Sequence, residues 1–156
     1  MPAGGTYTID SSDLTSWQPT TWRVYSMPAG GTYAIDTGDM AAWLSLNWRT
    51  YSMPAGSVVI SANTFDNWVG NISVYLNDNS LSQEMVDLAL ASLWAMFPSR
   101  TATAGGVSIG GTNAAPSGLL QAANPPTTGK EYAYELVNDS QNVNPTKKWT
   151  SVTITE

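Results

Sequence analysis

Four aspartates recur in pairs at one spacing, Asp10 with Asp13 and Asp36 with Asp39. Carboxylates in successive turns could offer oxygen ligands to Ca²⁺, a hard cation that takes oxygen donors. The same residues can also close turns, because a short carboxylate accepts hydrogen bonds from nearby backbone N–H groups. The pair is lost in the next comparable stretch, which holds Ala62 and Asp66. Turn capping is therefore the preferred reading, and no metal ligand set is assigned. The chain has no His and no Cys. The commonest general base, the usual zinc ligands, the ordinary Ser and Cys triads and all disulfides are thereby removed. Gly105-Gly106 and Gly110-Gly111 precede no helix start that could hold a phosphate, so they read as turns flanking a strand. A carboxylate pair for glycoside cleavage is the one remaining catalytic route. Glu84, Glu131, Glu135 and Glu156 fall on expected helices or at the terminus, and the Asp pairs repeat where a site should break the pattern. A glycan-active hydrolase is kept as the weak alternative. The expectation is no enzyme and no cofactor.

Charge and length narrow the partners. Net charge is −6 with six basic residues in 156, which repels a phosphate backbone, so no nucleic-acid partner is expected. No apolar run approaches the roughly 18 residues of a membrane span. The start, Met1-Pro2-Ala3-Gly4-Gly5, lacks the basic and apolar segments of a signal peptide. Apolar residues make up 42 % and charged residues 12 %. That composition fits a single domain over 1–156 whose polar surface is Ser, Thr, Asn and Gly. Seven Trp and seven Tyr suit a packed core, and also sugar or protein contacts.

What must position these residues is a repeat. Residues 1–26 and 27–52 align without a gap and share 15 of 26 positions, among them Tyr7/Tyr33, Ile9/Ile35, Trp17/Trp43, Trp22/Trp48 and Tyr25/Tyr51. A third copy opens at Met53-Pro54-Ala55-Gly56 and ends in Val74-Tyr75-Leu76-Asn77-Asp78-Asn79-Ser80-Leu81. A fixed short period means one supersecondary unit stacked on the next. Trp48, Tyr51 and Met53, then Trp22, Tyr25 and Met27, follow the order apolar-x-x-apolar-x-apolar, and Asn71, Val74 and Leu76 follow in the third copy. This frame resembles the leucine-rich repeat, of the irregular kind with a "TGD" stretch (Thr37-Gly38-Asp39) seen in bacterial surface and phage-encoded proteins. Gly30 and Gly56 stand where that family places Asn. The resemblance implies an α/β solenoid with a parallel sheet. It covers residues 1–81 well and 100–118 loosely. Trp17, Trp43 and Trp68 are expected to stack as a ladder on the convex side.

A helix is expected over 83–97. Ser82 is the N-cap, Leu81 and Val86 form a hydrophobic staple, and Val86, Leu90, Leu93 and Phe97 form one stripe before Pro98. Val107-Ser108-Ile109 then reads as the next strand, making 82–118 a longer strand–helix repeat. Thr128-Gly129-Lys130-Glu131 fits a capping box for a short helix whose face is Tyr132, Ala133, Leu136 and Val137. Trp149 to Ile154 alternates as a final strand. Residues 119–156 are read as a C-terminal cap.

In leucine-rich repeats the exposed side chains of stacked strands bind partners. The resemblance thus implies a binding face at Val24, Ser26, Thr50, Ser52, Ser73, Tyr75 and Ser108. The expected function is a non-catalytic binding or structural module at a virion or cell surface, meeting a protein or a glycan. The alternative is self-assembly. Met1 sits mid-repeat, so Met1, Tyr7, Ile9 and Trp17 would form an uncapped end that pairs with another copy or with preceding residues of a longer array.

Overall fold

A computed structural model describes residues 73–156 throughout and residues 60, 64, 65, 69 and 70, together with the backbone of four short strands nearer the start. Those strands are β1 (Thr6–Thr8), β2 (Thr21–Val24), β3 (Thr32–Ala34) and β4 (Asn47–Thr50). After them come β5 (Ser73–Tyr75), helix α1 (Gln83–Met96), a 3₁₀ turn (Phe97–Ser99), β6 (Gly106–Ser108), helix α2 (Gly129–Asn138) and β7 (Ser151–Thr153). The class is α/β. Among the described residues the strand pairs are parallel: β1 with β3, and β2-β4-β5-β6-β7 in one sheet.

The register carries the sequence repeat. Thr6 pairs with Thr32, Thr21 with Asn47, and Asn47 with Ser73, each partner 26 residues further along. Val74 pairs with Val107 across 33 residues, and Val107 with Val152 across 45. Parallel neighbours need a crossover connection rather than a tight hairpin. The two longer connections carry α1 and α2.

This register differs from the frame expected from the sequence. That frame matched Tyr25 and Tyr51 to Val74, whereas the sheet pairs Trp22 with Trp48 and Trp48 with Val74. The physical reason is that parallel neighbours stacked by one repeat keep its full period. The apolar-x-x-apolar-x-apolar frame slides the third copy by three residues against the first two.

Helix α1 starts and stops where local chemistry requires. Ser82 Oγ accepts from Met85 N–H at 3.3 Å. Leu81 and Val86 are both buried, closing the staple. Val86, Leu90, Leu93 and Phe97 are fully buried, and the 3₁₀ turn with Pro98 ends the helix. Ser92 is buried too, its Oγ accepting from Phe65 N–H at 2.9 Å. This stripe shares one core with Val74, Leu76, Val107, Ile109, Leu136 and Trp149. By the usual figures, each fully buried side chain of this size contributes about 1.5–3 kcal/mol relative to exposure.

Helix α2 departs from its expected face. Ala133 and Leu136 are buried as expected, but Tyr132 and Val137 are only half-buried, and Glu131 and Glu135 are turned inward. Asp139, in the left-handed region at φ 48°, ends the helix, and its N–H donates to Glu135 O at 2.8 Å.

Candidate functional site

The five-stranded sheet has two sets of rows. Successive strand residues alternate between faces, and register partners share a face. The inner row contains Val74 and Val107, both buried, and half-buried Val152. Trp22 and Trp48 are its register partners on β2 and β4. Flanking it are two outer rows. One runs Thr21, Asn47, Ser73, Gly106, Ser151, and the other Arg23, Arg49, Tyr75, Ser108, Thr153.

Of the expected binding positions, Tyr75 and Ser108 are register partners and half-buried. Ser108 Oγ accepts from Asn77 Nδ2 at 2.8 Å. Ser73 lies on the same face but is only 7 % exposed, with Gly106 N–H reaching its Oγ at 3.5 Å. It is covered rather than offered, which corrects the expectation. Val24 and Thr50 pair with each other at the ends of β2 and β4, two residues beyond Trp22 and Trp48. Their side chains lie outside the described residues. Ser26 and Ser52 lie outside the described residues. So do Met1, Ile9 and Trp17 of the expected self-association patch, while Tyr7 pairs with Tyr33 between β1 and β3. The Asp pairs and the expected ladder of Trp17, Trp43 and Trp68 also lie outside.

Sequence reasoning missed Ser151 and Thr153, both exposed. The signal was present. Ser73-Val74-Tyr75, Gly106-Val107-Ser108 and Ser151-Val152-Thr153 share the order small, valine, hydroxyl-bearing. The same order in the earlier strands is Thr21-Trp22-Arg23 and Asn47-Trp48-Arg49, with Trp for Val and Arg for hydroxyl.

The ends of the strands are clamped by Asn113, which is 2 % exposed. Its Oδ1 accepts from Asn79 N–H and Leu81 N–H, both at 3.0 Å. Its Nδ2 donates to Leu76 O at 2.6 Å and Ile109 O at 2.9 Å. One side chain thus joins the turn after β5 to the turn after β6 and satisfies four backbone groups. Next to it, Asp78 Oδ1 accepts from Thr112 N–H at 2.9 Å. Gly111, at φ +80°, lies where any Cβ would collide with that carboxylate, so the turn requires glycine.

Four further carboxylates serve as backbone acceptors. Glu131 takes Thr127 N–H at 3.0 Å, Thr128 N–H at 3.1 Å and Gln121 Nε2 at 3.2 Å. The Thr127 backbone bond leads the causes that hold its pKa at about 2, against an ordinary 4.5. Glu135, fully buried, takes Ala123 N–H at 3.1 Å and Ser140 N–H at 2.8 Å. Asp139 takes Val143 and Asn144 N–H groups at 2.7 and 2.9 Å. Asp87 takes Ser117 N–H at 2.9 Å. Asp87 also lines an open groove of about 400 Å³ with Glu84, Leu88, Thr127 and Tyr132. These carboxylates pin the 110–128 loop and the 139–144 turn to the helices. Glu131, ionised and held by N–H donors, is a poor proton donor.

Among the described residues the buried cation is Arg100, 2 % exposed. It donates to the carbonyls of Ala102 and Ala104 at 2.6 Å each, to Lys148 O at 3.3 Å, and to Lys147 O. Its guanidinium lies 3.8 Å from the Trp149 ring centroid, and burial lowers its pKa to about 10. Arg100 therefore ties the segment before β6 to the segment before β7.

Among the described residues no helix is long and apolar enough to cross a membrane, and no group of three or more His, Cys, Asp or Glu side chains is placed to hold a metal ion. No protein family matches the chain, and neither curated proteins nor solved structures give a significant match.

Proposed function

We propose that the chain is a non-catalytic binding module, a short solenoid resembling the leucine-rich repeat, that meets a glycan or a protein through the outer face of its parallel sheet. The observation that carries this is the register: a 26-residue sequence repeat reappears as the step between paired strands. Stacked repeats of this kind expose one side chain per repeat in each outer row, which is how solenoids build extended binding surfaces. The Asn113 clamp supports the same reading, because it fastens one turn of the stack to the next as a ladder asparagine would. Residues 119–156 act as the cap, held together by Glu131 and Glu135 and tied to the segment before β6 by Arg100. The hydroxyl-rich, weakly charged surface suits display on a virion or cell surface.

The carboxylates described above are occupied by backbone N–H groups, which favours binding over hydrolysis. A glycan array probed with wild-type chain and with Tyr75→Glu and Thr153→Lys variants tests the proposal. The expected result is retention without release of products, lost in both variants. Hydrolysis of a bound glycan, or retention unchanged by both substitutions, would overturn it.

A further inference from the structure

The five-stranded sheet ends at β7. Among the described residues no strand lies beyond it, so one side of its backbone is open. The ladder decides which groups are open. Thr153 O takes Ile109 N–H at 2.8 Å, so the main-chain groups of Thr153 point to β6. Successive residues of a strand point these groups to opposite sides, so Val152 N–H and C=O point outward. Outward groups of this kind are a template for another strand. Charges or proline can blunt an edge, yet Trp149 to Thr155 holds no Lys, Arg, Asp, Glu or Pro. Val152 and Ile154 pack on the core but are only half-buried, and an added strand extends their cover.

The residues around Val152 select the strand that fits. Antiparallel pairing centred on Val152 puts that residue opposite itself, where two copies exchange both N–H···O bonds. Ser151 then stands opposite Thr153, and both are exposed. Hydroxyl pairs across antiparallel strands favour the pairing. The count continues to the charges. Lys148 lies four residues before Val152 and Glu156 four after, and they are the first charged residues met on either side. Each Lys148 therefore falls opposite Glu156 of the other copy, once at each end of the contact. Half-buried Lys148 and exposed Glu156 carry long side chains that can span the bend at Thr150. An unrelated partner demands no such symmetry of β7.

We propose that two copies of the chain pair antiparallel along β7, about a two-fold axis at Val152, with opposite charges at both ends of the contact. A two-fold contact is self-complementary and closes at two copies. It leaves the outer sheet face open and does not depend on what that face binds. The contact is small, so the dimer dissociates on dilution. Sedimentation of the whole chain from about micromolar to millimolar concentration is expected to show monomer and dimer only. Lys148→Glu and Glu156→Lys each set like charges opposite one another at both ends. Each should weaken dimerisation about tenfold, because attraction becomes repulsion at two places. The double swap should restore it. Amide exchange followed by NMR uses the wild-type chain, and so decides even where a variant fails to fold. Val152 N–H should become protected as concentration rises, whereas Ile109 N–H, bonded within the chain, should not change. A chain that stays monomeric, a folded double swap as weak as the single variants, or growth beyond two copies overturns the proposal. So does a dimer in which Val152 exchange is independent of concentration, because its contact then lies elsewhere on the chain.

Discussion

Replacing Asn113 by Ala should be among the most damaging single changes in the described part of the chain. The side chain holds four backbone groups: Asn79 N–H, Leu81 N–H, Leu76 O and Ile109 O. It is 2 % exposed, and Leu76 and Ile109 are fully buried. A buried polar group left without its partner costs about 1–3 kcal/mol. Four such groups would sum to about 4–12 kcal/mol, but water entering the space of the lost amide recovers much of it. The expected loss is about 3–5 kcal/mol in urea unfolding followed by circular dichroism, with the slope unchanged. Thr112→Ala, at an exposed neighbour, should stay within about 0.5 kcal/mol. Asn113→Asp adds a signature that a general packing defect cannot mimic. It keeps an oxygen for the two N–H groups but points its second oxygen at two carbonyls, so the folded state favours the protonated acid. Its folded pKa then exceeds the unfolded value, and its deficit against wild type should shrink as pH falls from about 7 toward 5. A loss under about 1 kcal/mol for the alanine variant, or a deficit in the aspartate variant that is flat with pH, would refute the clamp.

Arg100→Lys keeps the charge but loses the planar fork over Trp149 and most of the carbonyl contacts, and should cost about 2–4 kcal/mol in the same unfolding assay. Glu131 has a folded pKa of about 2 against an ordinary 4.5. Its depressed value means its contribution is complete above the ordinary pKa and is lost as pH falls through the folded one. The stability gap between wild type and Glu131→Gln should therefore close between about pH 5 and pH 2, and a gap constant across that window would contradict the assignment. Leu119 and Leu120 are 68 % and 59 % exposed, so Leu119→Ser with Leu120→Ser should shift the unfolding free energy by no more than about 0.5 kcal/mol each.

Local signals carried well from sequence to structure, and long-range ones less so. Ser82, the Leu81–Val86 staple and Pro98 act within one or two turns of α1, and a helix bounded by such groups is legible without knowing its surroundings. The Thr128 to Glu131 spacing is equally local. The expected face of the second helix, Tyr132, Ala133, Leu136 and Val137, leaves out Glu131 and Glu135. Their burial depends on the N–H groups of Thr127, Ala123 and Ser140, which only the folded loop brings to them. Strand register failed for a related reason. Tyr25 and Tyr51 offered a familiar spacing within their own copies, but pairing is decided between copies, where Trp48 and Val74 stand one full period apart. The partnership of Ser151 with Gly106 crosses 45 residues, and the short phrase small-valine-hydroxyl was its sole trace.

The three strand positions divide the work of the sheet. The middle position is always apolar, Trp on β2 and β4 and Val on β5, β6 and β7. The 33-residue step from β5 to β6 carries α1, whose Leu90, Leu93 and Phe97 share the core with Val74 and Val107. A 26-residue step has fewer residues from which to build a covering layer, and there tryptophan stands in place of valine. The third position belongs to the opposite face. It changes from Arg to Arg to Tyr to Ser to Thr across the sheet, while the backbone register stays parallel throughout. A surface with one variable residue per strand, on strands whose spacing is fixed by the ladder, can alter its chemistry without disturbing its packing.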